Sequence, residues 1–308
     1  MSVPLSAEAA YAAQAGRPGA GPRAPLAERL LRAVLATVFA LGCLTVLVVA
    51  WVILRGAAPA LAAIPLLQFL TDPDWYPTRG LFDLKPMLAG SLLASLGAVA
   101  IATPVSVMLA AAMQFFLAPL AAAALRRGLF VMAAMPTVIL GFWGLTQVVP
   151  LAARAAPPGF ALISGILVLA LMIVPTTALL IDTALAKLPR PMLHGALALG
   201  AAPGLACFSM AMVVVRRAVL SAALLGLGRA LGETIVVLMV TGNKAELPQG
   251  LFDPIRTLTA NVALEMGYAE PLHGSVLFLS VLILFALATG LALLIYLLDA
   301  GPPTQVDV

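Results

Sequence analysis

The sequence predicts an all-α integral membrane protein with about six transmembrane helices. The 308 residues are 63% apolar and 10% charged, and their mean hydropathy is +1.10. Soluble domains carry about 45–50% apolar and about 25% charged residues, so this composition is typical of a chain that lies in lipid. The apolar residues are also concentrated in runs long enough to cross a bilayer, which takes about 20 helical residues.

Six such runs are the predicted spans. They are Leu30–Leu54, Met87–Met113, Gly128–Val149, Ala161–Ile181, Ala218–Val240 and Ser275–Leu298. The first run is longer than the core of a signal peptide, about 7–15 residues, so we expect it to remain as a span. Residues 1–29 are rich in Ala, Gly and Pro, and we expect a mobile tail there and a second tail at residues 299–308.

The distribution of positive charge predicts the orientation. Ten Lys and Arg residues lie on the side of the N terminus, namely Arg17, Arg23, Arg29, Arg32, Arg126, Arg127, Lys187, Arg190, Arg216 and Arg217. Six lie on the opposite side, namely Arg55, Arg79, Lys85, Arg154, Lys244 and Arg256. Because cytoplasmic loops carry the excess of positive charge, both termini are predicted to be cytoplasmic. We expect four aromatic residues to anchor the outer boundary: Trp51, Trp75, Tyr76 and Tyr268.

Several kinds of chemistry are excluded by simple patterns. No lysine follows a glycine, so the chain has no phosphate-binding P-loop. The two histidines, His194 and His273, fall on opposite sides of the predicted membrane, so neither a metal site nor a catalytic histidine beside a serine is expected, and no cofactor is predicted. The net charge of +4 is thinly spread, which argues against nucleic acid as a partner. Movement of a solute across the membrane is the remaining activity.

Two charged residues, Arg229 and Glu233, lie well inside a predicted span. Arg229 falls near the middle of the fifth span, where an arginine costs about 2.5–3.5 kcal/mol on insertion scales. The spacing i,i+4 places both side chains on one helix face, so an ion pair is expected. Paired charges inside a membrane usually mark a substrate route, although a purely structural ion pair is the alternative.

Small residues and prolines accompany this pair. Gly226 shares the face, and Gly228 and Gly232 adjoin it; Gly228-x-x-x-Gly232 is typical of a helix contact, and the small side chains also leave room for a solute. Prolines that can kink a helix fall within the second, third and fourth spans: Pro104, Pro136 and Pro175.

Around these residues the sequence resembles the permease subunits of Pst-type phosphate ABC importers, and among them the PstC-like subunit. The most specific part is Leu225-Gly-Leu-Gly-Arg-Ala-Leu-Gly-Glu-Thr234, followed by Thr241-Gly-Asn243. Further matches occur in the same order along residues 70–298: Trp75-Tyr-Pro77, Gly80, Ala89-Gly-Ser91, Ala134–Leu145, Leu251–Pro254 and Thr257–Thr259.

This resemblance implies a type I ABC importer permease over residues 30–298, in the inner membrane of a bacterium. Its implied partners are a second homologous permease, a cytoplasmic ATPase dimer that hydrolyses ATP, and a periplasmic phosphate-binding protein. The chain itself is then not an enzyme. The resemblance assigns Arg229, Glu233 and Thr234 to the phosphate pathway, where a guanidinium offers planar donors to phosphate oxygens. We further expect Glu233 to hold the arginine when the site is empty and to help expel the anion.

The loop of residues 182–217 departs from the family pattern. ABC import permeases carry a Glu-Ala-Ala segment followed by Gly, which docks on the ATPase as a short helix. The corresponding residues are His194, Gly195, Ala196, Leu197 and Gly200, so a histidine stands in the place of the glutamate, and Val213 in the place of a proline. The segment is expected to bind an ATPase, although the histidine raises the alternative of a different partner surface.

Three other functions remain open from the sequence. A buried guanidinium would also bind sulfate, molybdate or phosphonate, so the transported oxyanion is not decided by physics. A secondary transporter would need carboxylates for a coupling ion inside the membrane, and only Glu233 is available. A scaffold or sensor derived from a permease is the third alternative, because the coupling segment is altered.

Overall fold

The computed structural model describes residues 26–188, 191, 195 and 204–299, and this part is mostly helical, which confirms the predicted class. The helices of the first half are α1 (Leu26–Ala63), α2 (Lys85–Ala111), α3 (Pro119–Ala133), α4 (Thr137–Trp143) and α5 (Val149–Ala153). Those of the second half are α6 (Leu162–Ala186), α7 (Leu205–Gly232), α8 (Ile235–Val240), α9 (Leu258–Glu265) and α10 (Pro271–Asp299). Single π-helical turns follow α2 at Ala112–Phe116 and α4 at Gly144–Val148.

The remaining short elements lie between α1 and α2 and after α9. A two-stranded antiparallel hairpin pairs β1 (Trp75–Tyr76) with β2 (Leu81–Phe82). Short 3-10 turns occupy Gln68–Leu70, Pro77–Arg79 and Met266–Tyr268. Gly80, at φ +73°, closes the hairpin turn in a conformation that glycine adopts without a steric cost.

By its contacts the chain divides into two units, Met1–Val52 and Ile53–Val308. In the first unit the described residues form most of α1, and their apolar side chains are exposed, as in a helix that faces lipid. The predicted tail of residues 1–29 lies outside the described residues except for its last four, which begin α1. The predicted tail of residues 299–308 lies outside them except for Asp299.

Five helices of the described residues are long and apolar enough to span a membrane: α1, α2 with its π turn, α6, α7 and α10. The predicted third span, Gly128–Val149, is wrong as a single helix, because α3 and the helices α4–α5 meet at an angle of 95°. Pro136 lies at this break; it lacks an N–H and disfavours the helical conformation of the residue before it. Pro104 and Pro175, in contrast, lie inside helices that continue through them.

Helix α6 is the most buried of the spans in the second unit. It packs against α2 through a stripe of small residues on α2 at every fourth position, all of them fully buried: Ala94, Ala98, Ala102, Ser106 and Ala110. Small side chains allow two helices to approach closely in a membrane, where packing rather than burial from water drives association. The Ser106 hydroxyl adds a hydrogen bond to the Val174 carbonyl of α6 at 3.2 Å.

The hairpin contributes Trp75 and Phe82 to an apolar cluster that also includes Val276 and Leu277 of α10. Trp75 belongs to this cluster and is only 8% exposed, so its predicted role as an anchor at the membrane boundary is wrong. Its indole N–H instead donates to Glu265 Oε2 at 2.9 Å, a partner that makes burial of the polar nitrogen favourable.

Candidate functional site

The predicted fifth span is broken at Glu233. Helix α7 ends at Gly232, and Glu233 is extended at φ −71° and ψ 130°. Its carboxylate accepts hydrogen bonds from the backbone N–H groups of Ile235 at 3.1 Å and Val236 at 3.2 Å, so it caps the start of α8. A carboxylate is well suited to this place, because it satisfies free N–H groups at the positive end of a helix dipole.

Helix α9 holds this break in place. The Thr259 hydroxyl donates to the backbone carbonyl of Glu233 at 2.9 Å. Thr257 caps α9 by accepting a hydrogen bond from the Ala260 N–H at 3.2 Å, and its hydroxyl lies 3.0 Å from that of Thr259. The Thr-Leu-Thr segment singled out in the sequence therefore contacts the same backbone that the Arg-Ala-Leu-Gly-Glu-Thr segment provides.

Arg229 lies in the last turn of α7, four residues before the break, rather than in the middle of a continuous span. The predicted ion pair with Glu233 is wrong: within the described part of the chain, no carboxylate oxygen lies within 4.0 Å of the guanidinium. The reason is the break itself, since Glu233 is no longer helical and its carboxylate is occupied by α8. The half-buried guanidinium thus retains its donors.

The three glycines near Arg229 have different surroundings. A Cβ on Gly226 would lie 2.8 Å from Ile173 Cγ2 and 3.3 Å from Thr177 Oγ1, so this glycine permits the close contact of α7 with α6. At Gly228 and Gly232 a Cβ would meet no described atom within 4 Å. The helix contact predicted for Gly228-x-x-x-Gly232 is therefore not made within the described chain, and space is open beside the last turn of α7.

Helix α8 packs on the bent pair α3–α5. A Cβ on Gly141 of α4 would lie 3.0 Å from Met239 Sδ and 3.3 Å from the Val236 backbone, so α4 and α8 are in close contact. The Thr234 hydroxyl lies 3.4 Å from the Gly232 carbonyl, beside the first turn of α8. The break at Glu233 and the break at Pro136 are therefore connected through one helix contact.

The segment Thr241-Gly-Asn243 ends α8. Gly242 and Asn243 both have positive φ angles, +81° and +55°, and the Asn243 side chain donates to the Leu238 carbonyl at 2.7 Å. Arg256 Nε donates to the backbone carbonyl of Asn243 at 2.8 Å. An asparagine tolerates this left-handed conformation better than most residues and here also supplies the hydrogen bond that stops the helix.

Two buried charge clusters were not predicted. In the first, the Glu265 carboxylate accepts from Arg256 Nη1 at 2.6 Å and from Trp75, and it lies 2.9 Å from His273 Nε2. Glu265 and His273 are buried and contribute to a cavity of about 160 Å³. No local spacing in the sequence brings these residues together, because they come from the hairpin, the segment before α9, α9 itself and α10.

In the second cluster, Asp182 of α6 is 4% exposed and is bound by Arg126 of α3 and Gln114. Arg126 Nε donates to Oδ2 at 2.7 Å and Nη2 to Oδ1 at 3.0 Å, while Gln114 Nε2 donates to Oδ1 at 2.7 Å. The signal was present in the sequence, since the apolar pattern of the fourth span continues past Asp182 to Leu185. The helix ends at Ala186, five residues beyond the predicted end of the span at Ile181.

A larger cavity, of about 620 Å³, lies between the end of α6 and the middle of α7. Its walls include Lys187, Arg217, Ser221, Ala222 and Leu225. The predicted coupling segment connects these helices, but most of it lies outside the described residues, namely His194, Ala196, Leu197 and Gly200. Gly195 is described as helical and exposed, and Val213 as an exposed residue of α7.

Comparison with known proteins identifies the family. No family model matches the chain. It is 32% identical over 247 residues to the phosphate transport system permease protein PstC of Pasteurella multocida, which covers 72% of this chain and 76% of that protein. A probable PstC of Methanocaldococcus jannaschii is 30% identical over 260 residues, covering 75% and 81%. The chain belongs to the PstC family of ABC transporter permeases. It is also 32% identical over 214 residues to the probable ABC transporter permease protein YqgH of Bacillus subtilis, covering 68% and 69%.

A solved structure supports the fold of this PstC-family chain. The inward-facing MetNI methionine ABC transporter aligns with a TM-score of 0.51 at 18% identity, covering 73% of this chain and 96% of the matched chain. At this identity the likeness concerns the fold, which is that of an ABC importer permease. The PstC-family chain is thus a multi-pass membrane protein, and its relatives are transport subunits rather than enzymes.

Proposed function

We propose that this chain is a permease subunit of an ATP-driven phosphate importer, and that phosphate passes the break between α7 and α8. Its PstC relatives are named for phosphate transport, and the segment that contains Arg229 and Glu233 is where the sequence resembles them most specifically. The chain forms the route together with a second homologous permease.

The main observation behind this proposal is that the Arg229 guanidinium has no carboxylate partner among the described residues. The guanidinium lies at the end of an apolar helix, next to glycines with open space, and no carboxylate of the described residues neutralises it. An uncompensated arginine inside a membrane costs several kcal/mol, so its presence needs a functional reason. A tetrahedral oxyanion supplies the missing negative charge and accepts two hydrogen bonds from the planar guanidinium.

The broken helix supports the same role. Irregular backbone at membrane depth occurs where it is buried in protein or lines a water-filled cavity, because lipid offers no hydrogen bonds. Glu233 holds the start of α8 by its two backbone contacts, and its charge disfavours a long stay of the anion beside Arg229. Thr234 places a hydroxyl at the same point, within reach of a passing oxyanion.

The other components of the proposed transporter are separate subunits. We infer that a periplasmic phosphate-binding protein delivers the anion and that a cytoplasmic ATPase dimer drives the helices between outward and inward states. The segment of residues 190–204, which includes Gly195, transmits this motion, and both termini lie in the cytoplasm. ATP hydrolysis takes place on the ATPase subunits, so this chain performs no covalent chemistry.

The test is uptake by the complete complex reconstituted in liposomes. ATP-dependent entry of labelled phosphate is measured with the binding protein on the outside, and labelled sulfate and molybdate are compared at the same concentration. Uptake of phosphate in preference to the others supports the proposal. Preference for another oxyanion changes the substrate, and the absence of any ATP-dependent uptake by a correctly assembled complex contradicts the transport role.

A further inference from the structure

We propose that the cavity between α6 and α7 is a second oxyanion site, formed by Arg217 and Lys187, that receives the anion after it has passed Arg229. This inference rests on the proposed function, because it gives the anion a destination on the predicted cytoplasmic side. The cavity measures about 620 Å³, room for on the order of twenty water molecules at about 30 Å³ each. A single tetrahedral oxyanion with its hydration water therefore fits.

The chemistry of the walls favours an anion. Lys187 and Arg217, which are both exposed, supply two positive charges. Thr183 and Ser221 also line the cavity, and the Thr183 hydroxyl donates to the Leu179 carbonyl at 2.8 Å. Among the described residues that line the cavity there is no carboxylate. Cations in a concave site with low-dielectric walls concentrate negative ions, because the walls focus the field of the charges.

The spacing of residues along α7 places Arg229 on the same helix face as the wall of this cavity. Ala218, Ala222 and Leu225 line the cavity, and Arg229 follows them at the spacing of i, i+4, i+7 and i+11. Residues at this spacing lie on one face of a helix. Arg229 therefore stands one turn beyond the end of the cavity wall and on the same side, about 16 Å from Ala218 at 1.5 Å per residue. An anion that leaves Arg229 along this face enters the cavity.

The packing of α7 shows why the route follows this face. One residue beyond Leu225, Gly226 is pressed against Ile173 and Thr177 of α6, so that part of the surface is closed. At Gly228 the space is open. The two helices are also in contact through a buried cluster that includes Ile181, Leu185, Val215 and Ala222, and the 620 Å³ cavity lies beside this contact, on the side that carries Lys187 and Arg217.

The experiment measures the electrostatic potential of the cavity through a cysteine at Leu225. The background is the full-length protein in the assembled complex, with Cys43 and Cys207 replaced by serine and uptake verified. Leu225→Cys is treated with an anionic and with a cationic methanethiosulfonate reagent of similar size, and the ratio of the two rates is recorded. Leu220→Cys is the matched position, since it is similarly exposed but lies outside the cavity wall and about 140° around the helix.

Charge variants then identify the source of the potential. We expect Arg217→Gln to lower the anionic-to-cationic rate ratio at Leu225→Cys by about threefold or more, because it removes a unit charge about 12 Å along the helix in a partly wet site. Lys187→Gln, which removes the other charge of the cavity, should lower the ratio as well. Arg216→Gln removes the same charge from the adjacent residue, which is exposed, does not line the cavity and lies about 100° around the helix, so it should lower the ratio less than Arg217→Gln does. Equal effects of Arg216→Gln and Arg217→Gln would overturn the proposal.

Protection experiments show whether inorganic phosphate or a lipid headgroup occupies the cavity. Inorganic phosphate at millimolar concentration should slow the anionic reagent at Leu225→Cys in nanodiscs of pure phosphatidylcholine, and should lose this effect in Arg217→Gln. Protection that depends on phosphatidylglycerol instead shows a lipid headgroup in the cavity and contradicts an anion route. If the parent complex imports phosphate but the reagents show no charge preference, the proposed function stands and this inference fails; if it imports no oxyanion, the proposed function fails independently.

Discussion

Replacing Asp182 by asparagine tests whether the buried cluster on α6 stabilises the fold. The change keeps the size of the side chain but removes the charge that receives two hydrogen bonds from Arg126 and one from Gln114. Breaking a buried ion pair costs about 3–5 kcal/mol. The Arg126 side chain is 36% exposed and can turn its charge toward water, so we expect a smaller loss, about 2 kcal/mol, or about 30-fold in the unfolding equilibrium.

The assay is reversible unfolding in mixed detergent micelles, followed by tryptophan fluorescence. A double-mutant cycle with Arg126→Gln isolates the pair, and we expect a coupling energy of about 1–2 kcal/mol. Arg127→Gln is the control, because Arg127 is the exposed neighbour and should change stability by less than about 0.5 kcal/mol. A coupling energy near zero, or an equal loss in Arg127→Gln, would refute the stabilising role of this cluster.

Three further predictions concern the break and its surroundings. Glu233→Ala should destabilise the start of α8 by about 0.5–2 kcal/mol and slow uptake, whereas Glu233→Gln keeps a capping oxygen and should retain more of both; equal uptake in the two variants would contradict the capping role. Gly226→Val should cost about 1–3 kcal/mol in detergent unfolding because of the contact with α6, while Gly228→Ala should cost nothing; equal losses would contradict the packing described here. Glu265→Leu removes the acceptor of the Trp75 indole N–H, so it should shift the fluorescence of Trp75 and lower the melting temperature; an unchanged spectrum would contradict this hydrogen bond.

The spans were largely predictable because hydropathy depends only on composition over about 20 residues. Five of the six predicted runs overlap a helix that is long enough to cross a membrane. The breaks were not predictable from composition. Pro104, Pro136 and Pro175 look alike in the sequence, yet only Pro136 separates two helices at a large angle, since the packing of neighbouring helices decides whether a proline is accommodated.

The residues of the candidate site could be predicted from the sequence, but their contacts could not. The sequence singles out Arg229 and Glu233 because intramembrane charges are rare. Their ion pair was wrong, because the spacing argument assumed an unbroken helix. The competing partners of Glu233 are the Ile235 and Val236 N–H groups and, through its carbonyl, Thr259, which is 26 residues away in the chain.

The clusters around Asp182 and Glu265 show a different reason for failure. Asp182 looked like a loop residue because it follows the last strongly apolar run of its span, although its helix continues to Ala186. Glu265 collects partners from three separate elements, so only tertiary structure brings them together. Clusters of buried charges like these can be predicted only when it is known which helix ends pack on one another.

The most direct measurement of the central claim is phosphate uptake by the reconstituted complex with Arg229 replaced by lysine or glutamine. If the oxyanion binds the guanidinium on its way, Arg229→Gln should abolish ATP-dependent uptake at normal protein and assembly levels. Arg229→Lys should retain a small part, because it keeps the charge but not the paired donors. Uptake at the parent rate by Arg229→Gln would contradict the account, since it would mean that phosphate crosses the membrane without contacting this residue.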